Sequence, residues 1–131
     1  NKEFIEISKK KYPNTNYYCL DILSNDFKIP KYDYVIMNGI FTVKRSLSFD
    51  DMFNFMKEMI KIVSIKANIG FAFNVMSKQV DWERDDLFHL PFDSLASFLT
   101  KDISRNFIIR NDYGLYEYTV YVYPNDHIIE N

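Results

Sequence analysis

Glycine is scarce in this chain: Gly39, Gly70 and Gly114 are the three glycines among 131 residues, far apart and outside any glycine-rich phosphate or nucleotide loop. Cysteine is scarcer still. The lone Cys19 excludes an internal disulfide and favours a reducing compartment. It lies in the apolar run YYCLDIL, where a small buried hydrophobe is the simpler reading than a nucleophile. Two histidines, His89 and His127, stand far from each other and from that thiol, which argues against a zinc centre or a Cys-His pair. Charge of one sign is missing too. Sixteen basic and eighteen acidic residues are interspersed to give a net −2, so no basic block advertises nucleic acid. No apolar run approaches the ~20 residues of a membrane helix, and no signal-peptide pattern opens the chain. A soluble, cytoplasmic protein is the default expectation.

What is present is apolar and aromatic. Hydrophobic residues make up 47% of the chain and aromatics 18%, with ten tyrosines and twelve phenylalanines, enough for one domain with an aromatic-rich core. The chain opens at Asn1, inside what reads as a helix, so an upstream segment is expected. Phe4, Ile5 and Ile7 followed by Lys9, Lys10 and Lys11 read as the last turns of that helix, which Pro13 and Asn14 stop.

Residues 16–23, NYYCLDIL, read as a short strand, and 24–31 as a polar loop. The run YDYVIM at 32–37 reads as a strand buried on both faces, as in a parallel sheet. It stops at Asn38 and Gly39. Ligands of open α/β sheets bind at the carboxyl ends of strands, so this stop is the first place to look for a site.

Ser48 with Asp51 fits a capping pattern, and Phe49, Met52, Phe53, Met56, Ile60 and Val63 then recur on one helical face, with Asn68 and Gly70 expected to end the helix. Residues 70–77, GFAFNVMS, read as the next buried strand. A polar stretch follows, and Pro91 starts a further helix with Phe92, Leu95, Phe98 and Leu99 on one face. Two strand-like runs joined by a turn at 111–114 then form an antiparallel hairpin. The fold class is α/β: a mostly parallel sheet with a carboxyl-terminal antiparallel hairpin.

Four segments, DYVIMNGIF at 33–41, GFAFNVMS at 70–77, DDLFHLPFDSL at 85–95 and RNDYGLYEYTVYVY at 110–123, occur in an order and at a spacing that resemble the carboxyl-terminal two-thirds of class I S-adenosylmethionine-dependent methyltransferases, notably the small bacterial methyltransferase-like proteins. The resemblance implies a truncated Rossmann-like sheet, S-adenosylmethionine as cofactor of the full-length parent, and a small or medium polar methyl acceptor. It also implies roles for single residues. Asp21 and Ile22 occupy the place of the acid and apolar neighbour that recognise adenine, although a solvated cap is the plain alternative for Asp21. Asn38 and Gly39 fall where the methionine part of the cofactor and the acceptor meet, or simply form a turn. Trp82, Asp86 and His89 lie where an acceptor-binding loop is expected, or form a solvated loop with Trp82 tucked beneath it. Asp112 and Glu117 are explained by a turn and an outward strand position.

The family's glycine-rich loop and the acid after its second strand have no counterpart in these residues, so the fragment alone is expected to be inactive. In the family's sheet order the two strands without counterparts lie between the 16–23 and 32–37 segments, a gap of roughly 14 Å at the usual strand spacing. Either the first segment moves to pair with the 32–37 strand, or a second chain fills the gap through exposed sheet edges as a homo-oligomer. A non-catalytic α/β assembly domain and another nucleotide-binding enzyme are the alternative functions.

Overall fold

The structure is a computed structural model, and it describes residues 1–25 and 29–124. His127 and the middle of the 24–31 loop lie outside the described residues. The elements run α1 (Lys2–Lys11), α2 (Ile22–Asn25), β1 (Tyr32–Met37), α3 (Phe49–Lys66), β2 (Ala67–Ser77), β3 (His89–Leu90), α4 (Phe92–Asp102), β4 (Phe107–Arg110) and β5 (Glu117–Val122). The main sheet has the order β1-β2-β5-β4, with the short β3 beside the end of β2. Both β1 and β3 run parallel to β2, whereas β5 is antiparallel to β2 and to β4. The expected α/β sheet with its terminal hairpin is therefore present, and Gly114, at φ +71°, supplies the left-handed turn residue between the hairpin strands.

The period-2 alternation of β2 and β5 sorts the sheet into two unlike faces. Phe71, Phe73 and Val75 of β2 and Tyr118, Val120 and Val122 of β5 are buried, together with Met52, Met56, Met59, Ile60 and Val63 of α3 and Leu95, Phe98 and Leu99 of α4. This is the core. Each large side chain withdrawn from water here stabilises the fold by about 1.5–3 kcal/mol. Ring contacts knit the layers: Phe53 of α3 meets Phe98 of α4 edge-on at 6.3 Å, and Phe92 meets Tyr118 at 4.8 Å. The Ser48 hydroxyl accepts a hydrogen bond from the Asp51 amide at 3.1 Å, so α3 starts at the cap that its sequence signals.

Several expectations are corrected. Strand β1 is not buried on both faces: Tyr34 is 63% and Ile36 78% exposed, because α3 and α4 cover only the face carrying Val35 and Met37. Asn68 and Gly70 do not end α3. The helix passes into β2 at Ala67 without a loop, and Gly70 lies inside the strand opposite Tyr34. A β-carbon at Gly70 would stand 3.0 Å from the Val122 carbonyl oxygen and 3.1 Å from the Tyr123 ring, so close packing rather than helix termination explains this glycine.

Residues 16–23 form no strand, and the first segment does not pair with β1. A strand needs a partner for its backbone groups, and other bonds hold this segment instead. The Tyr17 hydroxyl lies 3.1 Å from both the Ser8 and Tyr12 carbonyl oxygens at the end of α1, and Asp21 starts α2. Cys19 is exposed, not buried, because the segment carrying it stays outside the core.

Candidate functional site

The turn after β1 is anchored at both ends by apolar residues. Met37 is buried before it and Phe41 after it, with the Phe41 ring edge-on to Phe55 at 6.2 Å and to Phe73 at 5.8 Å. Between these anchors Asn38 and Gly39 are held out at the surface. Gly39 has φ +75°, a conformation that costs a side-chain-bearing residue about 1–2 kcal/mol, and a β-carbon there would meet nothing within 4 Å. The space around the turn is open.

One hydrogen-bonded chain fixes this turn to the sheet. The Gly39 amide donates to Asn74 Oδ1 at 2.7 Å, and Asn74 Nδ2 donates to Glu117 Oε2 at 2.7 Å. An amide side chain that accepts and donates at once can link a strand-end amide to a carboxylate without moving a proton. Asn74 and Glu117 belong to the half-buried face of β2 and β5, opposite the core. With Asn38, Ile36, Thr119 and Tyr121 they line a groove of about 270 Å³. A second hollow of about 260 Å³, lined by Tyr34, Gly70 and Tyr123, shares Ile36, Ala72 and Tyr121 with it, so the groove continues along the open face.

The loops beyond β1 and β2 close on each other at the same end of the sheet. Val43 bridges Leu87, the amides of Lys44 and Arg45 donate to the Asp86 carbonyl at 2.9 and 3.1 Å, and Lys44 Nζ donates to the Asp85 carbonyl at 2.6 Å. The Asp86 carboxylate takes both ends of the Arg84 guanidinium, at 3.1 and 2.8 Å. Asp86 thus organises the loop. His89 is only 5% exposed; Ser77 O lies 2.7 Å from its Nδ1, and its Nε2 accepts from the Arg84 amide at 3.2 Å. Those partners assign the neutral tautomer with the proton on Nδ1 and leave neither ring nitrogen facing a ligand. Trp82 is 72% exposed rather than tucked beneath the loop, because Met76, Leu87 and His89 already fill the floor below it.

The other candidates fall elsewhere. Asp21 Oδ1 accepts from the Leu23 amide and its Oδ2 from the Ser24 hydroxyl, both at 3.1 Å, which makes it the cap of α2. Ile22 packs against the edge of the core. Asp112 pairs with Arg110 at 2.7 Å in the hairpin turn, and that hydrogen bond holds its carboxyl below the usual range. Glu117 does more than hold an outward strand position: it is joined to the Asn38–Gly39 turn through Asn74. The signal for Asn74 was in the sequence: in GFAFNVMS it is the one polar side chain inside the strand's apolar alternation. Among the described residues no three His, Cys, Asp or Glu side chains group to hold a metal, and no helix is long and apolar enough to cross a membrane.

No protein-family profile matches the chain. It is 27% identical over 92 residues to Putative methyltransferase Rv1506c of Mycobacterium tuberculosis (strain ATCC 25618 / H37Rv), a match over 69% of this chain and 55% of that protein. Crystal structures of magnesium protoporphyrin IX methyltransferase (ChlM) from Synechocystis PCC 6803 superpose on 95% of the chain. The form with bound SAM gives a TM-score of 0.59 at 12% identity over 54% of its own length. The form with bound SAH gives 0.62 at 11% identity over 59%. The chain therefore spans between half and three-fifths of the length of the proteins it matches. Over that span, the chain has the fold of a class I S-adenosylmethionine-dependent methyltransferase.

Proposed function

We propose that this chain supplies the acceptor-facing half of a site that transfers a methyl group from S-adenosylmethionine to a small or medium polar molecule. The observation that carries the reading is the Asn38–Gly39 turn, held out at the carboxyl end of β1 by buried neighbours and fixed by Asn74 and Glu117. It has the open space and the mixed donor and acceptor groups that the methionine part of the cofactor and a polar acceptor require. Asp21 and Ile22 would face the adenine, with the Asp21 carboxylate exchanging the bond it accepts from the Ser24 hydroxyl for one donated by the exocyclic amine of the base.

When bound, the cofactor supplies an activated sulfonium leaving group, so the protein's contribution to an in-line displacement is positioning rather than acid-base power. That division of labour suits a site whose histidine has both ring nitrogens engaged in structural bonds. On this reading the parent polypeptide works in the reducing cytoplasm and takes no nucleic acid. Elements equivalent to the glycine-rich loop complete the cofactor cradle in that polypeptide, and the 131-residue chain alone is inactive.

Isothermal titration with S-adenosylhomocysteine tests the proposal. The parent polypeptide is expected to bind saturably, and the 131-residue chain weakly or not at all. Absence of binding by the parent at millimolar ligand would favour the alternative, an α/β domain used for assembly.

A further inference from the structure

Beside the Asn74–Glu117 chain, and separate from the groove it lines, lies a second hollow. Met76 is two residues beyond Asn74 on the same face of β2 and stands opposite Glu117 in the sheet register. With Leu87 and His89 it floors a recess of about 70 Å³, flanked by Trp82 and Tyr116. Both flanking rings are largely exposed. Asp81 also lines the recess with an exposed carboxylate, but its surface is predominantly apolar, each ring nitrogen of His89 has a partner, and the Arg84 guanidinium is clasped by Asp86. Such a surface favours an apolar group over a polar one, which would give up its water for few partners in exchange. Its volume is under half of the ~150 Å³ that encloses a whole benzene ring, so an occupant enters by one edge and leaves its remainder between the two aromatic walls.

We propose that this recess seats the apolar, planar end of the methyl acceptor, which makes the acceptor an aromatic-bearing molecule with its polar, methylated group directed toward Asn38. The proposal rests on the methyl-transfer reading of the neighbouring turn. The recess itself is measurable without cofactor. Trp82 is the sole tryptophan of the chain and forms one wall, so its emission reports occupancy directly.

The experiment titrates benzyl alcohol, and glycerol as a polar control, into the 131-residue chain while following tryptophan emission. Benzyl alcohol is expected to give a saturable blue shift in the millimolar range and glycerol none. Tyr116→Ala, at an exposed position and with its fold checked by circular dichroism, is expected to weaken benzyl alcohol roughly five-fold, the typical strength of an aromatic pair. A linear response, an equal response to glycerol, or undiminished binding by Tyr116→Ala would overturn the recess. A saturable recess in a parent polypeptide that fails to bind S-adenosylhomocysteine would overturn its assignment to a methyl acceptor, which separates the two failures.

Discussion

Asn74 is the residue on which the candidate site turns, since it alone joins the Gly39 amide to the Glu117 carboxylate. Truncating it returns the exposed Gly39 amide to water and leaves the partly buried Glu117 carboxylate without this donor. Asn74→Ala is expected to cost about 0.5–1.5 kcal/mol in urea unfolding, the range for a typical hydrogen bond. An unchanged midpoint and slope would mean that the network contributes nothing to the turn. Tyr118 offers a test with a defined sign. Its hydroxyl donates to the Leu90 carbonyl at 2.9 Å in the core, and burial raises its pKa far above the ordinary 10.0. The folded state thus keeps a proton that the unfolded state releases. Stability from this difference is complete below about pH 10 and declines as pH rises from there toward the higher folded value. Tyr118→Phe is expected to cost about 1 kcal/mol at neutral pH. It is also expected to show a shallower alkaline decline than the wild type in unfolding curves taken from neutral to strongly alkaline pH. Parallel declines would contradict the buried phenol.

At the scale of elements, the sequence was most legible where local pattern and tertiary environment agree. The face of α3, its Ser48 cap, the start of α4 at Pro91 and the terminal hairpin all follow from apolar spacing and turn residues that the packing then uses. Residues 16–23 show the limit. Their β-like composition satisfies half of what a strand needs; the other half is a neighbour, and composition does not reveal whether one is at hand. Gly70 was misread for a related reason, because a glycine after a helix resembles a terminator and its close neighbours, Val122 and Tyr123, lie about fifty residues further on. Gly70→Ala is expected to cost about 1–3 kcal/mol through overpacking between β2 and β5, measured by denaturant unfolding; an alanine accommodated without loss would contradict the close approach to Val122 and Tyr123. Of the site, Asn38 and Gly39 were legible because they interrupt an apolar run. Asn74 shows in the sequence only as a polar interruption of its strand, and its link to Glu117 arises only when β2 and β5 lie side by side.

At the scale of the whole molecule, the unlike faces of the sheet are the dominant feature. One is sealed by α3 and α4, while the other exposes Tyr34 and Ile36 on β1, an edge strand of the sheet. Edge strands with apolar side chains recruit other chains. We propose on that basis that isolated copies self-associate through this edge. Sedimentation of the wild-type chain is expected to depend on concentration, and Ile36→Lys to shift it toward monomer; a concentration-independent monomer would remove the proposal.

The same architecture puts the strand ends, the Asn38–Gly39 turn and the Trp82 recess at one end of the sheet, which is where the methyl-transfer reading needs them. Calorimetric titration of the parent polypeptide with S-adenosylhomocysteine, wild type against Asn38→Ala, tests that reading most directly. Saturable binding by the wild type and a loss of about five-fold or more in the variant, in keeping with one hydrogen bond to a charged ligand, is the predicted result. Equal affinity of the two proteins, or no binding by either, would contradict it.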